Sequence, residues 1–189
     1  MPGTEGEAAV SATRLEGRNA WWFVLSFVTI IADQVSKLLV IENLSLYQRI
    51  PLMPVLDLVR LHNTGAAFSF LADASGWQNW FFTGVALIVS LVIIWWLMTL
   101  PRRGRIVLAS GLALVLGGAI GNVIDRSLYG YVVDFILFYY NSWSYPAFNI
   151  ADSAITVGVG LILFDGVFLE RRRSREESGR EEPEQEEAE

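Results

Sequence analysis

The 189-residue sequence predicts an all-α membrane protein built on four transmembrane helices. Three observations carry this. Hydrophobic residues make up 53% of the chain and charged residues only 18%, with a mean hydropathy of +0.41, whereas soluble domains carry ~25% charge. Four apolar stretches are long enough for a hydrocarbon core of about 30 Å, which needs ~20 residues per helix. The basic residues cluster in alternate connections, as they do in multi-pass membrane proteins.

Trp77 to Leu100 is 24 residues without a charge, and Ile106 to Ile124 is 19; both are clean spans. Ala20 to Ile41 is equally long but carries Asp33 and Lys37. Phe148 to Leu169 fits with Asp152 and Asp165 inside it. The first apolar stretch exceeds a 7–15-residue signal-peptide h-region and contains charge, so a cleaved leader is not expected. Between the spans, Pro101 ends a helix. Glu42 to Gly76 is a long connection whose alternating stretch Val55 to Leu61 suggests short strands at the interface. Asp125 to Ala147 holds Tyr129, Tyr131, Tyr139, Tyr140, Trp143 and Tyr145, an aromatic belt at headgroup depth. Gly65 and Gly130 are expected to permit turns that other residues would strain.

Orientation follows the arginines. Arg14 and Arg18 precede the first span, Arg102, Arg103 and Arg105 join the second to the third, and Arg171, Arg172, Arg173, Arg175 and Arg180 follow the fourth. Those ten of fourteen basic residues belong on the cytoplasmic side with both termini, leaving Arg49, Arg60 and Arg126 outside. Residues 1–19 read as a mobile extension, 20–170 as the membrane domain, and 171–189 as a charged, disordered cytoplasmic tail.

The net charge of −6 is largely the tail's, since nine of twenty acidic residues lie from Glu170 onward. No large basic surface for nucleic acid remains. Cysteine is absent and His62 is the only histidine, which removes thiol nucleophiles, thiolate metal sites and any ready assumption of a Ser-His-Asp triad.

Charge within a span costs about 2.5–3.5 kcal/mol on insertion scales and marks function by default. Asp33 and Lys37 stand four apart, acid first, a spacing that favours an ion pair. Asn122, Asp125 and Arg126 share a helix face where the third span meets the interface. Asp134 follows in an apolar run, and Asn149 and Asp152 sit three apart where the fourth span begins. Two apposed carboxylates in a poorly solvated site share a proton, so one can deprotonate water while the other polarises a peptide carbonyl. Asp125 stands beside Arg126 and reads as a scaffold acid holding that arginine and the turn. Asp134 has no adjacent base and apolar neighbours. Asp152 opens a helix, whose positive dipole end suits a carboxylate. Asp165 reads as structural at the cytoplasmic end, and Asp57 and Asp73 as solvated loop acids.

These residues fall in blocks that resemble the lipoprotein signal peptidases (signal peptidase II). The blocks are Asp33-Gln34-Val35-Ser36-Lys37, Arg60 to Ser69, Gly117 to Arg126 followed by Gly130-Tyr131-Val132-Val133-Asp134-Phe135, and Pro146 to Thr156. They arrive in the family's order over about residues 20 to 170. The resemblance implies a small extracytoplasmic β-cradle and an interfacial helix in the long outer loop. It implies a metal-free, cofactor-free aspartic endopeptidase of the bacterial cytoplasmic (inner) membrane, with its active site on the extracytoplasmic side. Such an enzyme cleaves diacylglyceryl-modified prolipoproteins N-terminal to the lipidated cysteine, and the family's inhibitors include the cyclic peptide globomycin. Carried onto this chain, Asp134 and Asp152 would be the catalytic pair. Asn63, Asn122, Arg126 and Asn149 would line the substrate cleft, and Asp33, Lys37, Asp125 and Gly65 would support it. His62 departs from the family's usual residue and reads as a polar interface side chain. A monomer working in membrane lipid is expected.

Two rival readings predict other patterns. A small proton-linked transporter would spread acids along the membrane depth, often with repeat symmetry; here the acids gather at one surface and no repeat occurs. A Ser-Lys protease would use Ser36 and Lys37, which stand about 100° apart on a helix and suit that dyad badly.

Overall fold

The computed structural model describes residues 21–65, 77–101, 105–170 and 173. Four helices are long and apolar enough to cross a membrane. They are α1 (Trp22–Asn43), α2 (Trp77–Thr99), α3 (Ile106–Tyr129) and α4 (Ile150–Phe164), the last continued by a π-helical turn at Asp165–Leu169. All four match the apolar stretches read from sequence. α3 alone runs well past its expected end at Ile124, because the helix continues through Asp125 and Arg126 to Tyr129.

α3 is the hub. Of its most apolar segment 72% is buried, against 28%, 22% and 17% for α1, α2 and α4. Small residues make this possible. A side chain at Gly118 would collide with the Ala151 carbonyl of α4, and one at Gly121 would lie 2.7 Å from Asp33 Oδ2 of α1. Both neighbouring helices therefore approach α3 at the level of the polar cluster. Deeper in the span, Leu97, Leu108, Leu112 and Leu116 form the apolar core with Trp22 and Ile93. Phe27, Leu91, Trp95 and Leu163 are exposed, the arrangement of a protein whose outer solvent is hydrocarbon.

Four antiparallel strands form one sheet in the order β1 (Arg49–Met53), β2 (Leu56–Asn63), β3 (Val132–Tyr140) and β4 (Trp143–Ser144). The alternating stretch at Val55 to Leu61 is thus a strand. The cradle is not confined to the long outer loop, however: β3 and β4 come from the aromatic connection. Val132 to Phe135 are all buried, so this strand shows none of the alternation by which a half-buried strand is recognised. An interfacial helix does not occur among the described residues of the first outer connection; residues 66–76, with Asp73, lie outside them. The extension 1–19 and nearly all of the tail 171–189 lie outside them also.

Two contacts seat the sheet on the helices. Arg60 of β2 donates from Nη1 to the carbonyls of Ile41 and Leu44, 3.1 and 2.9 Å away, satisfying the free acceptors where α1 ends. Phe148, just before α4, bridges to Ile136: its N–H donates to the Ile136 carbonyl, and its carbonyl accepts from Phe135 and Ile136. That bridge fixes β3 against the start of α4. Gly130 ends α3 at φ +78°, a left-handed turn into β3.

One sequence expectation fails here. Asp57 is not a solvated loop acid: it is buried on β2 and ion-paired with Arg49. The two lie eight residues apart but meet across the β1–β2 hairpin, whose register shifts between Pro51 and Met53.

Candidate active site

The polar residues of α1, α3, β3 and α4 meet in one hydrogen-bonded cluster. Asn149 is its pivot. As the N-cap of α4 its side chain accepts from the Asp152 N–H at 3.0 Å, and its own N–H donates to Asp152 Oδ2 at 3.2 Å. This reciprocal box fixes both residues. The carboxamide nitrogen of Asn149 turns the other way and donates to Asp134 Oδ1 at 2.8 Å, with longer contacts to the Val133 carbonyl and Asn122 Oδ1. A single residue therefore joins Asp134 and Asp152.

Each acid has a second amide donor. Asn63 Nδ2 donates to Asp134 Oδ2 at 2.9 Å, and Asn122 Nδ2 donates to Asp152 Oδ1 at 2.8 Å. Asn63 is itself oriented by the Gly65 N–H, which donates to its Oδ1 at 2.9 Å. Gly65 makes that turn at φ +93°, and a side chain there would press on Phe82 at 2.9 Å. Glycine is required on both counts.

Asp134 lies on β3, opposite Leu61 of β2. Burial, reinforced by the negative charge of Asp152, pushes its carboxyl up to about 7, although Asn63 and Asn149 act in the opposite direction. Near neutral pH it is therefore available as a proton donor.

Lys37 lies behind the pair and is fully enclosed. Its Nζ is 2.7 Å from Asp33 Oδ2, 3.0 Å from Asp125 Oδ2 and 3.1 Å from Asn122 Oδ1. The expected i,i+4 pair with Asp33 is present. Because Lys37 and Asn149 occupy Asn122 Oδ1, the amide nitrogen of Asn122 is left to face Asp152. Asp33 Oδ1 accepts the Ala151 N–H at 2.9 Å, one of the free donors of the α4 first turn. Asp125 accepts the Val133 N–H at 3.0 Å and Gln34 Nε2 at 2.9 Å. It was expected to hold Arg126 and the turn; its contacts are instead with Lys37, Gln34 and the start of β3.

Arg126 stays close enough to Asp152, Asp134 and Asp125 for its charge to act on all three. Its guanidinium lies 5.9 Å from the Phe82 ring centre. Among the described residues it makes only a 3.5 Å contact from Nη1 to the Asn122 carbonyl, and the buried Nε has no partner there. Asn149, expected to face a substrate, is instead completely enclosed.

Some residues stand apart from this cluster. Asp165 pairs with Arg173 at 2.9 Å; it lies 13 residues beyond Asp152, or about 20 Å along the helix. His62 stacks on Tyr131 at 3.7 Å, and burial together with the charge of Arg60 holds its pKa below the ordinary value. Two contributors escaped sequence reading. Gln34 bridges Asp33, Asp125 and the Gly121 carbonyl; its place between Asp33 and Lys37's face was the available signal. Phe148 fixes the register of β3 through its backbone, which no side-chain pattern reveals.

Comparison with known proteins adds to this geometry. A family model described as signal peptidase (SPase) II matches residues 25–168. The chain is 52% identical over 155 residues to the lipoprotein signal peptidase of Acinetobacter baylyi, covering 82% of this chain and 86% of that protein. It is 50% identical over 164 residues to that of Alteromonas mediterranea, covering 87% of each. A solved structure described as a bacterial membrane enzyme, determined in meso at 1.9 Å resolution, is similar with a TM-score of 0.68 and 28% identity over 79% of this chain and 94% of that one.

Proposed function

The chain belongs to the signal peptidase II family, and from that membership we propose that it is a membrane aspartic endopeptidase whose working pair is Asp134 and Asp152. It removes signal peptides from diacylglyceryl-modified prolipoproteins, cutting N-terminal to the lipidated cysteine. The observation that carries the assignment of the pair is Asn149, whose amide nitrogen holds Asp134 while its backbone N–H holds Asp152.

The chemistry follows from that arrangement. Asp152, at the α4 N-terminus and held by amide donors, is the base; Asp134, whose pKa of about 7 keeps a proton within reach, is the acid. Asp152 takes a proton from water as its oxygen bonds to the scissile carbonyl carbon, and Asp134 gives its proton to the carbonyl oxygen. The resulting gem-diol collapses when Asp152 returns its proton to the leaving nitrogen and Asp134 recovers one from a hydroxyl. The C–N bond breaks, leaving a carboxyl on the signal peptide and an amine on the lipidated cysteine. Arg126, whose Nε has no partner among the described residues, orients substrate carbonyls. Asn63, Asn122 and Asn149 position the acids, and Asp33, Lys37, Asp125 and Gly65 hold those positions.

The positive-inside distribution supports cytoplasmic termini, an extracytoplasmic site and residence in the bacterial inner membrane. Lipid anchoring of the substrate supports lateral arrival of precursor at a single enzyme molecule. The test is turnover of a lipidated precursor beside the same precursor with its cysteine replaced by serine, which cannot be lipidated. Cleavage of the first alone is expected; equal cleavage of both contradicts the substrate assignment.

A further inference from the structure

The first turns of α2 also reach the site, although α2 carries no charged residue. Gln78, Asn79 and Phe82 stand three and four positions apart and share one face of that helix. Asn79 Nδ2 donates to the Arg126 carbonyl at 3.2 Å. Thr83 Oγ1, next to Phe82, donates back to the Asn79 carbonyl at 2.7 Å. The turn that carries Phe82 is thereby fastened to the end of α3.

Phe82 touches two parts of the site at once. On one side its ring lies flush against Gly65, where an added Cβ would stand 2.9 Å from Cδ2 and 3.0 Å from Cε2. The Gly65 N–H orients Asn63, and Asn63 in turn donates to Asp134. On the other side the Arg126 guanidinium lies over the same ring, 5.9 Å from its centre. That is just within the distance of about 6 Å at which a cation is drawn to an aromatic face.

A phenyl ring is a rigid plane on two side-chain torsions, so two groups resting on it keep a fixed separation. Without the ring, Arg126 would keep only its long contact to the Asn122 carbonyl among the described residues. The Gly65 turn would lose its nearest neighbour. Resting on the peptidase reading above, we propose that Phe82 is a positioning residue for the reaction. Its ring is a wedge that fixes the Asn63–Gly65 turn, which holds Asp134, relative to the Arg126 guanidinium, which orients substrate carbonyls.

The wedge has a signature that loose packing alone would not produce. The hydrogen bond from Asn63 favours the carboxylate form of Asp134, and the positive charge of Arg126 acts in the same direction. Asp152 on α4 opposes them and Lys37 on α1 supports them; a change at residue 82 removes neither charge. Freeing the two arms therefore raises the pH at which Asp134 gives up its proton.

The test is the pH profile of kcat/KM for a lipidated precursor, measured with the full chain in nanodiscs. Phe82→Leu is expected to lower kcat/KM about tenfold at about pH 6, or about 1.4 kcal/mol, and to move the alkaline decline to higher pH. Phe82→Tyr keeps the ring and is expected to keep both at the wild-type values. Trp80→Leu, which removes an aromatic residue 75% exposed on the same helix, is expected to leave the profile unchanged. In an Arg126→Gln background, Phe82→Leu is expected to cost less than in wild type, because one arm is already gone. Phe82→Met repeats the test if Phe82→Leu does not fold.

A lower rate with the decline in its wild-type place overturns the proposal, and so does a wild-type rate in Phe82→Leu. A Phe82→Tyr profile that matches Phe82→Leu overturns it too, as does an undiminished loss in the Arg126→Gln background. Wild-type protein that cleaves no lipidated precursor at any pH overturns the peptidase reading itself, a separate outcome.

Discussion

The two ends of the helix bundle both carry acids, but they hold them differently. At the far end of α4, Asp165 and Glu170 are paired with Arg173 and Arg105, carboxylate against guanidinium. At the near end, four aspartates meet one lysine and one arginine. Lys37 satisfies Asp33 and Asp125 by direct ion pairs. Asp134 and Asp152 make no ion pair among the described residues and are held by Asn63, Asn122 and Asn149 alone. An acid locked to a cation cannot exchange protons readily, whereas one held by neutral amides can. On the proposal above, this division separates the supporting acids from the reactive pair.

The sharpest way to break the comparison is to remove the enclosed cation. Lys37→Met leaves Asp33 and Asp125 buried without a counter-charge, and is expected to cost roughly 3–5 kcal/mol, seen as lost expression or a large fall in Tm. A well-folded variant with normal turnover would show that the lysine merely neutralises charge.

Asn149→Ala comes next. It removes the bridge and the α4 cap together, so turnover should fall about 100-fold or more with a stability loss of about 1 kcal/mol. If rate and stability fall in proportion to the cap alone, the bridge has no catalytic part.

The pH dependence is a finer probe. Asp134 must be protonated to act as the acid, so kcat/KM should decline as pH rises through about 7. The same raised pKa makes a stability contribution that is fully present below the unfolded carboxyl value near 4 and is lost as pH climbs through about 7. Asp134→Asn should therefore gain Tm relative to wild type at pH 8 and lose that advantage at pH 4. The opposite trend would place the ionised form of Asp134 in the folded protein.

The smallest effect belongs to the far end. Glu170 is 43% exposed, so Glu170→Gln should change stability by less than about 1 kcal/mol and turnover not at all. A loss of turnover would mean that the two ends are coupled.

Much of this architecture was legible in the chain. Span lengths follow from bilayer thickness, and the Asp33–Lys37 pair from helical spacing. Other features were hidden for definable reasons. The first half of β3, Val132 to Phe135, is buried on both faces and carries no alternating signal. Asp57 finds Arg49 only through a shifted hairpin register. Arg60 looks like an ordinary outer-loop arginine until the end of α1 is placed beneath it. Asn149 and Asp152 were visible as a spacing of three, but the link from Asn149 to Asp134 depends on the Phe148 bridge to Ile136, a backbone contact.

The most direct measurement is the single-turnover rate of a lipidated precursor with wild type, Asp134→Asn, Asp152→Asn and the double variant, each verified as folded. Residues that act as one unit are non-additive: each single change should remove about 1,000-fold or more of the rate, and the double variant should lose little beyond that. If either single variant keeps most of the wild-type rate, or the two losses simply multiply, the acids joined by Asn149 do not form the catalytic pair.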